Sequence, residues 1–295
     1  MTHQRTGLLK YGFVGPALVL LIALNIFPLF YNIVLSFTNA QMEGGGVGSV
    51  GGANYATVFS TPKFVTSIRT TAIFLGAAVS IELVIGFCLA LALRRRFLGK
   101  SALLTVLLIP MMLSPAVMGL FWHQILNGHY GVLNQVLGVV GLGQPQWLTD
   151  PALKLISILI IDIWMWTPFM MLISLAGLNS IPQYIYEAAE IDRAGRWRIF
   201  RRITLPMSAP LLVLAALLRT TDALKQFDLV MAVTGPNDVA TQTLSALLYR
   251  TVFRGGKVGL GSAYACVVLV VVIALASVFT RYIDFIQRKQ GKVRL

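Results

Sequence analysis

Six long apolar stretches run through this chain, at 13–37, 68–93, 102–126, 153–178, 207–233 and 260–284. A helix needs about 20 apolar residues to cross a bilayer, and every one of these stretches is longer than that. The pattern predicts an all-α, polytopic membrane protein with six transmembrane helices. Composition agrees: 12% of the 295 residues are charged, against about 25% in an average soluble domain. So few charged side chains cannot cover a water-facing surface of this size. The first stretch exceeds the roughly 7–15-residue core of a signal peptide and is read as a retained helix. Cys88 and Cys266 lie in apolar runs and are expected to be buried thiols acting as small hydrophobes, with no disulfide framework and no metal site.

The net charge of +13 is distributed as topogenic charge. Arg5 and Lys10 precede the first run. Arg94, Arg95, Arg96 and Lys100 follow the second. Arg193, Arg196, Arg198, Arg201 and Arg202 follow the fourth, and Arg281, Arg288, Lys289, Lys292 and Arg294 close the chain. Fewer lie on the other side: Lys63, Arg69, Lys154, Arg250, Arg254 and Lys257. Basic residues mark cytoplasmic loops, so both termini are expected in the cytoplasm. No basic-aromatic strip tracks a nucleic-acid backbone, and no nucleic-acid partner is expected. The organisation reads as an N-terminal segment 1–12, a membrane domain 13–284 and a tail 285–295. The outer loop 38–63 contains GGGVGSVGG and is expected to be flexible. The outer loop 128–151 has no Lys or Arg. Pro16, Pro28, Pro110, Pro115 and Pro168 interrupt the spans, which is tolerated where neighbouring helices cover the freed carbonyls. His123 beside Trp122 reads as an interfacial anchor.

Residues 180–206 are a charged, amphipathic connection between two apolar runs. Ser180, Pro182 and Gln183 fit a capping box, so a helix is expected from Ile181 through Tyr184, Tyr186, Glu187, Ala188 and Ala189. Its alanines leave a face that another surface can approach closely. Gly195 suits a turn, a short basic helix Arg196 to Arg202 is expected next, and Pro206 marks re-entry into the membrane.

Glu187-Ala188-Ala189 and Ile203-x-Leu205-Pro206 resemble the EAA loop of bacterial binding-protein-dependent ABC importer permeases. The family has glycine where this chain has Arg193, and Gly195 lies two residues later. Weaker signatures extend over nearly the whole chain: Pro28 with Ser36-Phe37, Asn54-Tyr55, Trp164 with Thr167-Pro168-Phe169 and Ala176-Gly177-Leu178, and Phe227-Asp228 with Thr234-Gly235-Pro236. The pattern looks most like the carbohydrate-uptake (maltose and glycerol-3-phosphate) permeases. The resemblance implies a type I ABC importer permease fold and a subunit forming half of a pathway for a sugar, sugar derivative or polyol. It implies an EAA coupling loop at 180–206 that docks an ATPase through Tyr186, Glu187, Ala188, Ala189, Asp192 and Gly195. The implied partners are a second homologous permease in a heterodimer, two ATPase subunits carrying ATP and Mg, and a periplasmic or lipid-anchored solute-binding protein. The implied place is the bacterial inner membrane, surrounded by lipid.

Ionisable groups at bilayer depth cost roughly 2.5–3.5 kcal/mol each on insertion scales, so they face protein or water. Arg219, Asp222, Lys225 and Asp228 recur every three residues in the fifth run. They form either an ion-pair ladder against another helix or a hydrophilic stripe along a solute pathway, with Thr220, Thr221 and Gln226 adding hydrogen-bonding groups. The resemblance, in which the fifth helix borders the pathway, favours the stripe. Glu82 and Asp162 are isolated acids in the second and fourth runs and can pair with Arg219 or Lys225. Gly99-Lys100-Ser101 is only the tail of a phosphate loop, with Arg94 where its first glycine belongs. No catalytic constellation, cofactor or metal is expected in this chain. An ion-coupled secondary transporter and a non-transporting assembly protein are the competing readings, and the first leaves the EAA segment unexplained.

Overall fold

The computed structural model describes residues 14–44, 47–95 and 97–291. Arg5, Lys10, Arg96, Lys292 and Arg294, and with them the segment 1–12, lie outside the described residues. The helices, in chain order, are α1 (Val14–Ser36), α2 (Ala53–Ser60), α3 (Pro62–Leu93) and α4 (Lys100–Leu108). Then follow α5 (Pro115–Ile125), α6 (Val132–Val139), α7 (Pro151–Asn179) and α8 (Gln183–Ile191). The chain closes with α9 (Arg196–Ala223), α10 (Asp228–Val233), α11 (Leu244–Tyr249) and α12 (Val258–Gly291). Among the described residues the only extended pairings are two isolated bridges.

Five helices, α1, α3, α7, α9 and α12, are long and apolar enough to cross a membrane. The third expected span is not one helix. It breaks between α4 and α5 at a 3-10 turn, Pro110–Met112. Proline removes a backbone donor and disfavours the helical region for the residue before it. Ser114, ahead of Pro115, is extended at ψ 133°. The fifth span is shifted rather than broken at its start. It begins at Arg196, so the expected separate basic helix is its first turn, and it ends at Ala223 instead of 233. Two π turns accommodate two other prolines. Ile22–Ile26 lies just before Pro28, and Phe200–Thr204 just before Pro206. The wider turn relieves the clash between the ring and the carbonyl four residues back. Helix α7 starts on a clear signal: Pro151 at its first position and Asp150 Oδ1 accepting from the Ala152 amide at 2.9 Å.

Contacts divide the chain into two units, one of residues up to Phe64 with Leu248–Val270, the other Val65–Leu247 with the segment from Val271. In the first, the loop after α1 is not a loose linker. Asn54 Nδ2 donates to the Ser36 and Thr38 carbonyls at 2.8 Å each, Tyr55 and Ser36 hydroxyls meet at 2.7 Å, and Gly259 N–H donates to the Ala40 carbonyl. The second unit holds the main apolar core, with Phe74, Met118, Ile158, Met165, Ala215 and Leu229 buried together. Its helices pack at small residues. A Cβ on Gly86 of α3 would lie 2.6 Å from Met170 Cβ of α7, and one on Gly119 of α5 would lie 2.5 Å from Ala232 Cβ of α10. Close backbone approach at small residues is how helices associate where lipid is the solvent.

Some side chains depart from expectation. Cys266 is buried, but Cys88 is exposed on α3. Trp122 is not a free interfacial anchor, since its ring packs edge-on against Trp164 of α7 at 5.6 Å between centroids. The 128–151 loop is ordered around Asn134, which is buried, donates to the Gly128 and Pro145 carbonyls and accepts from Trp147 Nε1 at 2.8 Å.

Candidate functional site

Two places in the second unit collect the polar side chains singled out above. The first is the connection from α7 to α9. Ser180 does not cap α8. Its hydroxyl donates back to the Gly177 carbonyl at 2.9 Å and closes α7, so α8 begins at Gln183 rather than Ile181, with Pro182 at the N-cap. Helix α8 is short and two-sided. Tyr186 and Ala189 point into the chain, while Glu187, Ala188 and Asp192 are exposed. The exposed side also carries large apolar groups, Tyr184 at 68% and Ile191 at 82% exposed, and Trp197 in the first turn of α9 is 71% exposed.

The turn after α8 is made by Arg193 and not by Gly195. Arg193 has φ +53°, the left-handed conformation that usually takes glycine. Its N–H donates to the Glu190 carbonyl, and the Ala194 N–H donates to the Ala189 carbonyl, both at 2.9 Å. Those two bonds are the Schellman pattern that satisfies the last carbonyls of a helix. Gly195 is extended, at φ −64° and ψ 152°, and serves as N-cap of α9.

The second place is a charge cluster inside the helix packing. Arg219 of α9 is 1% exposed, and Glu82 of α3 and Asp162 of α7 are both 0% exposed. Arg219 Nε donates to Glu82 Oε2 at 2.8 Å and Nη2 to Glu82 Oε1 at 3.2 Å, while Nη2 also meets Asp162 Oδ2. Nη1 donates to Asp222 Oδ2 at 3.1 Å. Gln226 Nε2 donates to Asp162 Oδ1 at 2.7 Å. The guanidinium plane also lies 4.8 Å from the Trp166 ring centre. Both buried acids therefore belong to Arg219 and neither to Lys225. Buried charges persist only when paired and hydrogen-bonded, and this arrangement does both.

The regular ladder expected along the fifth run does not form. Helix α9 ends one residue after Asp222, so Lys225 and Asp228 leave its surface. Both are exposed, and among the described residues neither takes part in an ion pair. Asp222 is the intermediate member, with its side chain 56% exposed while still bonded to Arg219. Thr220 is buried, and the Thr221 hydroxyl is spent on the Leu218 carbonyl. A separate ion pair, Lys154 with Asp238 at 2.5 Å, ties the start of α7 to the loop after α10.

Sequence reasoning passed over three contributors. Trp166 lies four residues after Asp162 on the same helical face, a spacing that could have placed it beside the guanidinium. Arg94 was counted only as topogenic charge, yet its guanidinium stacks 4.2 Å from the Tyr186 ring centre. Thr204 meets the Tyr186 hydroxyl at 3.2 Å. Nothing in the linear pattern marks those two.

A family model described as binding-protein-dependent transport system inner membrane component matches residues 82–290. The trehalose/maltose transport system permease protein MalF of Thermococcus litoralis is 37% identical over 232 residues, covering 79% of each chain. The trehalose transport system permease protein SugA of Mycobacterium tuberculosis is 32% identical over 274 residues, 92% of this chain and 88% of that one. Among solved structures, a bacterial ABC transporter that imports the acidic polysaccharide alginate has a chain of the same fold. Its TM-score is 0.84 at 22% identity, over 96% of this chain and 97% of that one.

Proposed function

The chain belongs to the family of binding-protein-dependent transport system inner membrane components, and on that footing we propose that it is the membrane-spanning permease subunit of an ATP-driven sugar importer. The observation that carries the reading is α8. A short helix whose inward face is seated by Tyr186 and Ala189, and whose outward face offers Glu187, Ala188, Tyr184 and Ile191, is built to be covered by another protein. The covering protein is a separate ATPase, which supplies ATP and Mg; Asp192 and Gly195 complete the docked segment. Two ATPase subunits, a second homologous permease and a periplasmic or lipid-anchored binding protein complete the transporter, and the docked side is cytoplasmic. The sugar class is supported by the trehalose and maltose in the names of relatives at 37% and 32% identity.

The charge cluster fits such a pathway in two layers. Arg219, Glu82 and Asp162 are closed off inside the chain and act as a scaffold. Asp222, Lys225, Gln226 and Asp228 lie at the exposed margin and meet the solute. ATP binding closes the ATPase pair, α8 moves with it, and the helices change the side to which the pathway opens. The test is reconstitution: the chain is purified with whatever chains accompany it, placed in proteoliposomes, and assayed for uptake of trehalose and maltose. Uptake that requires MgATP supports the reading. Uptake driven by a proton or sodium gradient without ATP, or purification with no ATPase, would overturn it.

A further inference from the structure

Helix α8 is anchored by one side chain, Tyr186, whose partners lie just past the end of α3 and within α9. The Arg94 guanidinium, directly after α3, covers one face of the Tyr186 ring at 4.2 Å. The Tyr186 hydroxyl reaches Thr204 Oγ1 at 3.2 Å, inside the π turn of α9. Phe87 of α3 and Phe200 of that π turn also pack, with ring centres 6.2 Å apart. The same two helices are tied again farther along, where Glu82 of α3 takes two hydrogen bonds from Arg219 of α9. Roughly 20 Å of helix separates the two ties on each side, at about 1.5 Å of rise per residue. Helices α3 and α9 thus form a ladder with two rungs, and α8 is fastened to the lower one. The basic residues beside Arg94 do not share its position: Arg95 is exposed, whereas Arg94 is partly buried on the ring. A planar guanidinium stacks on an aromatic face in a way that a merely topogenic charge does not need. The π turn adds a place where α9 can change register, and such turns concentrate at functional sites.

We propose that Tyr186, held by Arg94, is the positioning residue through which movement of α8 reaches the Glu82–Arg219 pair. The state of the docked ATPase would then alter the exposure of the segment around Asp222. This rests on the docking role of α8, and the experiment separates the two. The reporter is Thr221→Cys, partly exposed beside the cluster, in a background with Cys88 and Cys266 replaced by alanine. The complex is purified with its ATPase, and the rate of labelling by N-ethylmaleimide is compared with and without MgATP plus orthovanadate.

The parent should show a change of about fivefold or more, the low end of ordinary coupling between sites. Arg94→Gln should abolish that change while the ATPase still co-purifies, and Tyr186→Leu should abolish it as well. Tyr186→Phe, which keeps the ring, should retain most of it, and Arg94→Lys should retain part. Loss of the ATPase from every form, parent included, would sink the docking role itself. A parent that responds together with variants that respond equally, or a parent that docks but shows no response, would overturn the inference alone. Arg94→Gln leaves the sequence of α8 untouched, so it decides the matter even if Tyr186→Leu fails to assemble.

Discussion

Arg219 is the side chain on which the interior of the second unit depends most. It is a single cation between two fully buried carboxylates and a third that is half exposed. Removing one member of a buried pair leaves an uncompensated charge and costs about 3–5 kcal/mol. Arg219→Met should therefore destabilise by that amount, read as a lowered melting temperature in detergent. The triple change Arg219→Met, Glu82→Leu and Asp162→Leu should recover most of the loss, because no charge is left stranded. Asp222→Asn should move stability by less than about 1 kcal/mol, since its carboxylate still reaches solvent. A melting order that placed Asp222→Asn below Arg219→Met would contradict this account. At Arg193 the opposite sign is expected. A non-glycine residue at φ +53° carries roughly 1–2 kcal/mol of strain, which glycine partly returns to the unfolded chain as entropy. Arg193→Gly should raise stability by up to about 1 kcal/mol. The family's usual glycine position falls at 193, and the structure makes its turn there despite the arginine. Gly195 misled because glycine signals a turn without saying which of two nearby residues makes it.

Among the elements, the sequence disclosed the long helices and hid their interruptions. The apolar runs that became α3, α7 and α12 end within a few residues of where hydropathy changes, because lipid-facing length is a property of composition alone. The break between α4 and α5 and the end of α9 at Ala223 are set by backbone chemistry within apolar or mixed sequence, which hydropathy does not register. Pro110 and Pro115 were visible, but Pro28, Pro168 and Pro206 occur in helices that continue. Proline alone therefore does not say whether a helix bends, widens to a π turn or stops. Packing was equally hidden, since a glycine at a helix contact looks like any other glycine. Gly119 faces Ala232 so closely that a side chain cannot enter without displacing α10 from α5. Gly119→Val should cost about 1–3 kcal/mol as overpacking. Ala232→Gly in the same chain should restore part of it, measured as recovery of melting temperature; no recovery would place the strain elsewhere.

For the molecule as a whole, the paired acids and Arg219 could be guessed from their depth, but which acid took which base required the fold, because Glu82, Asp162 and Arg219 come from three helices. Sidedness is the remaining global property, and it follows from where the basic residues lie. Arg94, Arg95 and Arg96 lie between α3 and α4, and Lys100 opens α4; Arg193 lies between α7 and α9, and Arg196, Arg198, Arg201 and Arg202 fall in the first two turns of α9, while 128–151 holds no Lys or Arg at all. Lys and Arg in short loops are retained on the cytoplasmic side. The α3–α4 and α5–α7 connections should therefore lie on opposite faces of the membrane. Leu98, fully exposed in the first, and Val139, 89% exposed in the second, give two reporters that touch neither α8 nor the charge cluster. In a background lacking Cys88 and Cys266, Val139→Cys should react in intact cells with a membrane-impermeant maleimide. Leu98→Cys should react only after the cells are opened. Removing Cys88 matters most, because it is the exposed thiol of the two and would report its own surroundings. Labelling of Leu98→Cys in intact cells would put α8 on the outer face, where no ATP-driven subunit could reach it, and the proposed coupling would fall with the topology.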